Sequence, residues 1–298
     1  MGFETVRTVI DAKKNIVDIS FFEEDPFELD EFAKKNNVTA VVDCGVAPGM
    51  SNIILGYHNE RMKVDSFECI VGGLPFKRTL PFQYKAPFSP IDVIEEYTRP
   101  ARIVENGKII IKPALSDKEL VEVEPIGTLE SFNTDGLRSL LKFKIPNMKE
   151  KTFRYPGHTE KMEFLRDAGF FSKKEIEISD KKISPLELSS KILFPQWTLD
   201  ENEKEFTVMT IKISGEENKT KKVYNYFLFD SFDEDTITSS MARTTGYTCA
   251  AAVKLLADGL FAKRGICPPE YIGRDEKCFK EIINYLSERK ITYKMTEN

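Results

Sequence analysis

Val41-Val42-Asp43-Cys44-Gly45-Val46-Ala47-Pro48-Gly49-Met50-Ser51-Asn52 takes an apolar run to Asp43, turns through glycine and proline, and enters an apolar-periodic segment at Ser51. A buried strand that delivers a loop and a helix start to the carboxyl edge of an α/β sheet reads this way. Ligands of open α/β sheets sit at that edge, where helix N-termini present free N–H groups. Gly45 and Gly49 allow the backbone to approach a flat ligand closely. Taken alone, the stretch is equally an ordinary Gly/Pro connection.

The flanking sequence supplies the alternation that a parallel sheet requires. Phe3, Val6, Val9 and Ile10 fall at helical spacing, and Asn15–Ser20 reads as a short buried strand. Asp25-Pro26-Phe27-Glu28 is a helix start, with Asp25 as N-cap and proline in the first turn. Val38–Asp43 is the next strand. Beyond Val64 the texture changes to β-branched and aromatic runs at Asp65–Val71, Lys108–Lys112, Phe206–Ile213 and Val223–Phe229. The last two flank a polar hairpin loop, Ser214–Lys219. Helices are expected at Pro90–Tyr97, Asp135–Leu141, Thr159–Ala168 and Pro185–Leu193. From Thr236 the helical pattern returns, with a stripe of Ala250, Val253, Leu256, Ala257 and Leu260, and Lys280–Ser287 ends it. The charged stretches at 201–205 and 219–222 read as solvated loops.

Composition narrows the function classes. The 298 residues, 41% hydrophobic and 31% charged, describe a globular chain long enough for two domains. No apolar run nears the roughly 20 residues that span a bilayer, and the first residues lack a secretory pattern. Five scattered cysteines with no Cys-x-x-Cys pair suggest neither a disulfide framework nor a metal site, and fit a cytoplasmic protein. A net charge of −5 without a basic block argues against nucleic acid as partner.

The opening stretch, together with Asn15–Ser20, Val71-Gly72-Gly73-Leu74-Pro75, Asn133-Thr134-Asp135-Gly136-Leu137-Arg138, Arg154-Tyr155-Pro156-Gly157-His158, Ala242-Arg243-Thr244-Thr245-Gly246-Tyr247 and Pro268-Pro269-Glu270, resembles the saccharopine dehydrogenase-like family. The likeness is to its lysine 6-dehydrogenase and saccharopine reductase branches, and it covers nearly the whole chain. It implies an α/β fold: a Rossmann-like parallel sheet over 1–64, an α+β substrate and dimerisation domain over 65–235, and a helical segment over 236–298 that packs back on the first part. The α+β sheet is expected to have one face covered. No Gly-x-Gly-x-x-Gly occurs in the sequence, so the Rossmann-like part is expected to be incomplete, with a bare strand edge at Asn15–Ser20 or Val38–Asp43.

The resemblance also implies chemistry: a pyridine-nucleotide oxidoreductase acting on a C–N bond of lysine or a lysine-derived amino acid, with NAD or NADP as cofactor and a homodimer as assembly. The wording of Asn133–Arg138 leans toward the lysine 6-dehydrogenase branch. A non-catalytic amino-acid-binding remnant is the alternative. Arg154, after which a rigid Tyr-Pro-Gly turn follows, and Arg243 are candidate carboxylate anchors expected in one cleft, with Thr244 and Tyr84 beside the substrate. His158 and Asp135 are the catalytic candidates, the first for moving a proton and the second for holding a substrate ammonium. Either is also at home at a helix start. Asp43, Cys44, Gly45, Pro48 and Gly49 are the candidate cofactor-binding turn, and His58 reads as structural.

Overall fold

The computed structural model describes residues 2–200 and 203–298. The first unit comprises α1 (Gly2–Asp11), β1 (Ile16–Val17), α2 (Asp30–Lys35), β2 (Thr39–Val41) and α3 (Met50–Asn59). The second runs through β3 (Lys63–Pro75), α4 (Pro90–Thr98), β4 (Ala101–Glu105), β5 (Lys108–Lys112), β6 (Glu119–Val123), β7 (Gly127–Asn133), β8 (Asn147–Arg154) and α5 (His158–Asp167). It continues with β9 (Ile176–Ile178), β10 (Lys181–Ile183), α6 (Pro185–Trp197), β11 (Glu205–Glu217) and β12 (Thr220–Ser231). The chain closes with α7 (Ser240–Ala257), β13 (Gly265–Cys267), α8 (Glu270–Arg274), α9 (Glu276–Ser287) and β14 (Tyr293–Glu297).

β1, β2 and β13 form a parallel sheet with β2 in the centre. Of the two edges expected, the one on β2 is covered by this chain's own C-terminal segment, whereas β1, within Asn15–Ser20, is an edge strand of this sheet. Gly265 N–H donates to Val38 at 2.9 Å, and Ile266 N–H donates to the Asp30 carboxylate at 2.8 Å. Val6, Ile10, Ala33, Val38, Ala40, Val42 and Ile266 make its core. Asp25 does cap the turn that starts at Pro26, accepting from Phe27 N–H at 3.0 Å, but this turn is 3₁₀ and α2 begins only at Asp30.

The second sheet runs β14-β12-β11-β3-β8-β4-β5, with β7 also on β8 and β6 on β7. Only β3 and β8 pair in parallel; Cys69 stands opposite Glu150 in that register. Both faces are covered, against the expectation of one. Phe67, Cys69, Met209, Ile211 and Ile213 pack with Met50, Ile53, Leu255, Ile282 and Leu286. The alternate positions Ile70, Leu74, Phe206 and Val208 join Tyr97, Phe132, Phe153 and Trp197 on the opposite face. Strand side chains alternate between faces, so a sheet buried on both loses its polar face.

Several expectations shift in position. The hairpin of β11 and β12 turns at Asn218-Lys219 rather than over six residues, because pairing continues to Glu217 and Thr220. Glu201 and Asn202 lie outside the described residues, whereas Glu205, placed in the same solvated loop, is buried at the start of β11. Asp135 begins no helix: the following turn is 3₁₀ over Arg138–Lys142. On α7 the buried stripe is Ala251, Ala252 and Leu255, one residue out of phase with the expected one, and Val253 is exposed. β14 adds the last residues of the chain to the edge of the large sheet.

Candidate functional site

A cleft of about 710 Å³ lies where the carboxyl edge of the parallel sheet meets the second unit. Its walls come from the turn after β2 (Asp43, Gly45–Pro48), β3 (Val71–Gly73), α4 (Asp92, Glu95, Glu96, Arg99), the turn after β7 (Thr134–Gly136), β8 (Glu150, Thr152, Arg154) and α7 (Met241, Ala242, Thr245, Gly246). Several motifs singled out in sequence thus converge on one space.

Tight backbone contacts fix the turn. Gly49, at φ +138°, has its Cα against Gly45, where a Cβ would come within 1.9 Å of the Gly45 carbonyl. Asn52 Oδ1 accepts from Gly49 N–H at 3.3 Å, and Asn52 Nδ2 donates to the buried Glu270 at 3.1 Å. Ser139 Oγ donates to the same Glu270 oxygen, so α3, α8 and the 3₁₀ turn share one carboxyl. Asp43 accepts from Arg138 Nε and Nη2 at 3.1 and 3.2 Å. It is a buried counter-ion, and burial pushes its pKa up despite the Arg138 guanidinium beside it. Gly45 and Pro48 face the cleft as expected. Cys44 does not; it is fully buried, and burial pushes its thiol well above the usual range. Gly49 shapes the turn rather than lining the cleft.

Arg154 lines the cleft but is only 1% exposed. Its Nη2 donates to Glu96 at 2.5 Å, its Nε to Tyr97 Oη at 3.0 Å, and its Nη1 to the Phe153 carbonyl at 2.9 Å. The guanidinium also stacks 4.3 Å from the Tyr84 ring. Arg243 is elsewhere. On α7, Met241, Ala242, Thr245 and Gly246 face the cleft, while Arg243 points to a smaller, separate hollow beside Asp230, Asp233 and Lys290. There it ion-pairs with both aspartates and donates to the Arg289 carbonyl. The expectation of both arginines in one cleft is wrong, because one step along a helix turns a side chain by about 100°. Thr244 is likewise buried inside, its hydroxyl donating to Ser240 O at 2.9 Å, and Thr245 takes the cleft position.

His158 does not reach the cleft. Fully buried, it takes Phe82 O on Nδ1 at 2.9 Å and Tyr97 Oη on Nε2 at 2.8 Å. Burial and Arg154 push its pKa down to about 3. It is a neutral ring that braces Tyr97, which in turn braces Arg154, and this placement removes it from proton exchange with a ligand in the cleft. The Tyr84 ring lies beside it at 5.0 Å, tilted by 56°, buried and absent from the cleft wall. His58 is structural as read, bonded to Tyr226 at 2.8 Å with its pKa lowered to about 4. Asp135 does line the cleft, yet both its oxygens hold Arg102 at 2.8 Å and one also accepts Arg102 N–H.

Sequence reasoning missed Glu150, Glu96 and the acidic face of α4. Six carboxylic side chains (Asp43, Asp92, Glu95, Glu96, Asp135, Glu150) and two arginines line the cleft. Both arginines are already paired, Arg154 with Glu96 and Arg99 with Glu95 and Glu23. Glu150 is 3% exposed, its Oε2 has no hydrogen-bond partner, and its pKa is raised to about 8 by burial and then by Asp135, Glu96 and Asp43. Among the described residues no cluster of histidine, cysteine and carboxylate side chains has the arrangement of a metal site, and no helix is long and apolar enough to cross a membrane.

Fold and cleft together define a two-unit α/β chain with a ligand cleft at the carboxyl end of a parallel sheet. Residues 45–291 match the saccharopine dehydrogenase C-terminal domain. The chain belongs to the saccharopine dehydrogenase-like family. It is 26% identical over 264 residues to an alpha-aminoadipic semialdehyde synthase of Arabidopsis thaliana, covering 80% of this chain and 24% of that protein. It thus spans about a quarter of that relative's length. A saccharopine dehydrogenase [NADP(+), L-glutamate-forming] of Pyricularia oryzae is 22% identical over 359 aligned positions, covering 93% of this chain and 78% of that one. In fold it is similar to apo saccharopine dehydrogenase (L-Glu forming) of Saccharomyces cerevisiae, with a TM-score of 0.76 at 20% identity, over 99% of this chain and 82% of that one. Homospermidine synthase of Legionella pneumophila, solved in complex with NAD, gives a TM-score of 0.53 at 12% identity, over 87% and 64%.

Proposed function

We propose that the chain serves a nicotinamide-dependent oxidoreductase that acts at a C–N bond of lysine or a lysine-derived amino acid. The observation that carries this reading is the cleft itself: the Gly45–Pro48 turn on one side, Glu150 and Arg154 on the other, and Thr245 and Gly246 at the end. The Gly45–Pro48 turn would hold the nicotinamide; it lies close against α7, where a Cβ on Gly45 would come 3.2 Å from the Pro48 carbonyl and 3.3 Å from Thr245 Cγ2. When bound, the nicotinamide would accept or supply hydride. The chain's own residues would hold the amine-bearing carbon against it and exclude water. The relatives' names, one specifying NADP(+) and one solved with NAD, support the cofactor class and leave the choice between the two open.

The acidic lining favours lysine over saccharopine. Saccharopine carries two more carboxylates than lysine, and Arg99 and Arg154 are already neutralised by glutamates. The names of the relatives favour the saccharopine reaction as second reading. The test is the near-ultraviolet absorbance of reduced nicotinamide on mixing the protein with NAD⁺ or NADP⁺ and either amino acid. Reduction with lysine alone supports the first reading and reduction with saccharopine alone the second. No reduction with either, at millimolar cofactor, leaves a non-redox binding protein.

A further inference from the structure

We propose that Glu150 is the seat for an alkylammonium group of the cleft's ligand. This deepens the preceding reading by naming the group that meets the amine, and it requires no hydride chemistry.

Three observations carry it. Glu150 sits on β8 in the cleft wall at 3% exposure, and its Oε2 has no hydrogen-bond partner in the protein. A buried carboxyl oxygen left unpaired costs about 1–3 kcal/mol, more once ionised, so a donor supplied by a ligand recovers what the fold forgoes. Second, the carboxyl occupies space that only a glycine at 136 leaves open: a Cβ there would lie 1.6 Å from Glu150 Oε1. Third, the other charged groups around it are spoken for. Asp135 from the turn after β7 is held by Arg102 on β4. Glu96 from α4 is held by Arg154, and Asp43 from the turn after β2 by Arg138. Cys69, opposite on β3, is a buried thiol kept neutral by burial. No cation of the protein bonds Glu150 among the described residues, and three carboxylates add negative potential around it. A primary ammonium has three N–H donors and the charge that this position lacks.

The arrangement makes proton release accompany binding. Glu150 by itself holds its proton near neutral pH, because burial and then the neighbouring carboxylates push its pKa up to about 8. An arriving ammonium favours the carboxylate, so that proton leaves to solvent. The alkylammonium, with a pKa near about 10.4, stays charged. The probes are 1,5-diaminopentane and L-lysine, titrated calorimetrically into the purified chain without cofactor, in buffers of differing ionisation heat. With diaminopentane, release should approach one proton per ligand near pH 7 and fall toward none near pH 9. Glu150→Gln should lose at least tenfold in affinity and abolish the release, while Glu150→Asp keeps part of it. Unfolding curves on the same samples establish that the variants fold. Failure of both amines to bind the wild-type chain, binding without proton release, or release unchanged in Glu150→Gln would each overturn the proposal. None of these outcomes depends on hydride transfer, so a redox-inactive chain that releases the proton sinks only the oxidoreductase reading.

Discussion

Arg154 Nη2 lies 2.5 Å from Glu96 Oε2, joining β8 to α4 across the wall of the cleft, with the guanidinium 1% exposed. Arg154 is buried and Glu96 partly so; removing the guanidinium strands a largely desolvated carboxylate, which costs roughly 2–5 kcal/mol. Arg154→Ala should therefore lower unfolding stability by that amount in a urea titration. The double variant Arg154→Met with Glu96→Gln should recover part of it, since no bare carboxylate remains. Equal losses in the single and double variants would show that packing against Tyr84 and Tyr97, rather than charge, sets the cost.

The buried titratable groups give the chain a defined pH response. Glu150 and Glu205 have pKa values raised to about 8 and about 7, and burial raises Glu96 and Glu270 as well. For each, the folded form binds protons more tightly than the unfolded chain, so stability is lost as pH rises through the folded pKa. His58 and His158, lowered to about 4 and about 3, act in the opposite sense. Their contribution is intact above an unfolded pKa of about 6.5 and is lost as pH falls below it. Between about pH 4.5 and 6.5 the two sets oppose each other. From pH 6.5 to about 7.5 the carboxyls dominate, and stability should fall by up to about 1.4 kcal/mol per pH unit for each carboxyl titrating; above that the buried thiols, raised in the same sense, add to the fall. Glu150→Gln should flatten that slope in pH-dependent urea unfolding; a flat wild-type profile there would refute the assignment.

Gly136→Ala should destabilise by about 1–3 kcal/mol, because its Cβ would overlap the Glu150 carboxyl. Combining it with Glu150→Ala should relieve most of the loss. Thermal unfolding of the four proteins measures the coupling, and simple additivity would contradict the contact.

NADH should bind the 298-residue chain weakly. The pyrophosphate of a dinucleotide is normally held by N–H groups of a Gly-x-Gly-x-x-Gly turn, a pattern this sequence does not contain. Each such charge-assisted bond contributes roughly 1.5–3 kcal/mol, so lacking two or three weakens binding about a thousandfold. A fluorescence titration giving a low-micromolar constant would mean that another surface of these residues holds the phosphates.

The fold was legible where the pattern is local. β5, α4 and the long hairpin strands announce themselves through β-branched runs and a Pro-led helix start, and the Asp43–Pro48 turn stands at the cleft because strand, turn and helix follow one another in sequence. β8 was not legible. Nothing in Lys149-Glu150-Lys151 singles it out, since three charged residues in a row carry no apolar alternation, yet Lys151 is fully buried against Glu119 and Glu150 faces the cleft. What buries them is pairing with β3 and β7, distant in sequence. His158 misled for a related reason: it stands beside a promising turn, but its environment is set by Tyr97 and Phe82, which no local spacing reveals. Arg243 failed on helical phase alone, with its neighbour positions 242 and 245 facing the cleft instead.

Hydride transfer at the C–N bond of a lysine-type amine in this cleft would leave an isotopic trace in the cofactor. Lysine carrying deuterium on its ε-carbon is incubated with the protein and millimolar NAD⁺ or NADP⁺, and the reduced cofactor is weighed by mass spectrometry. One deuterium should appear in the reduced nicotinamide. Reduced cofactor without label, or no reduced cofactor at all with the amine shown to be bound, would contradict it.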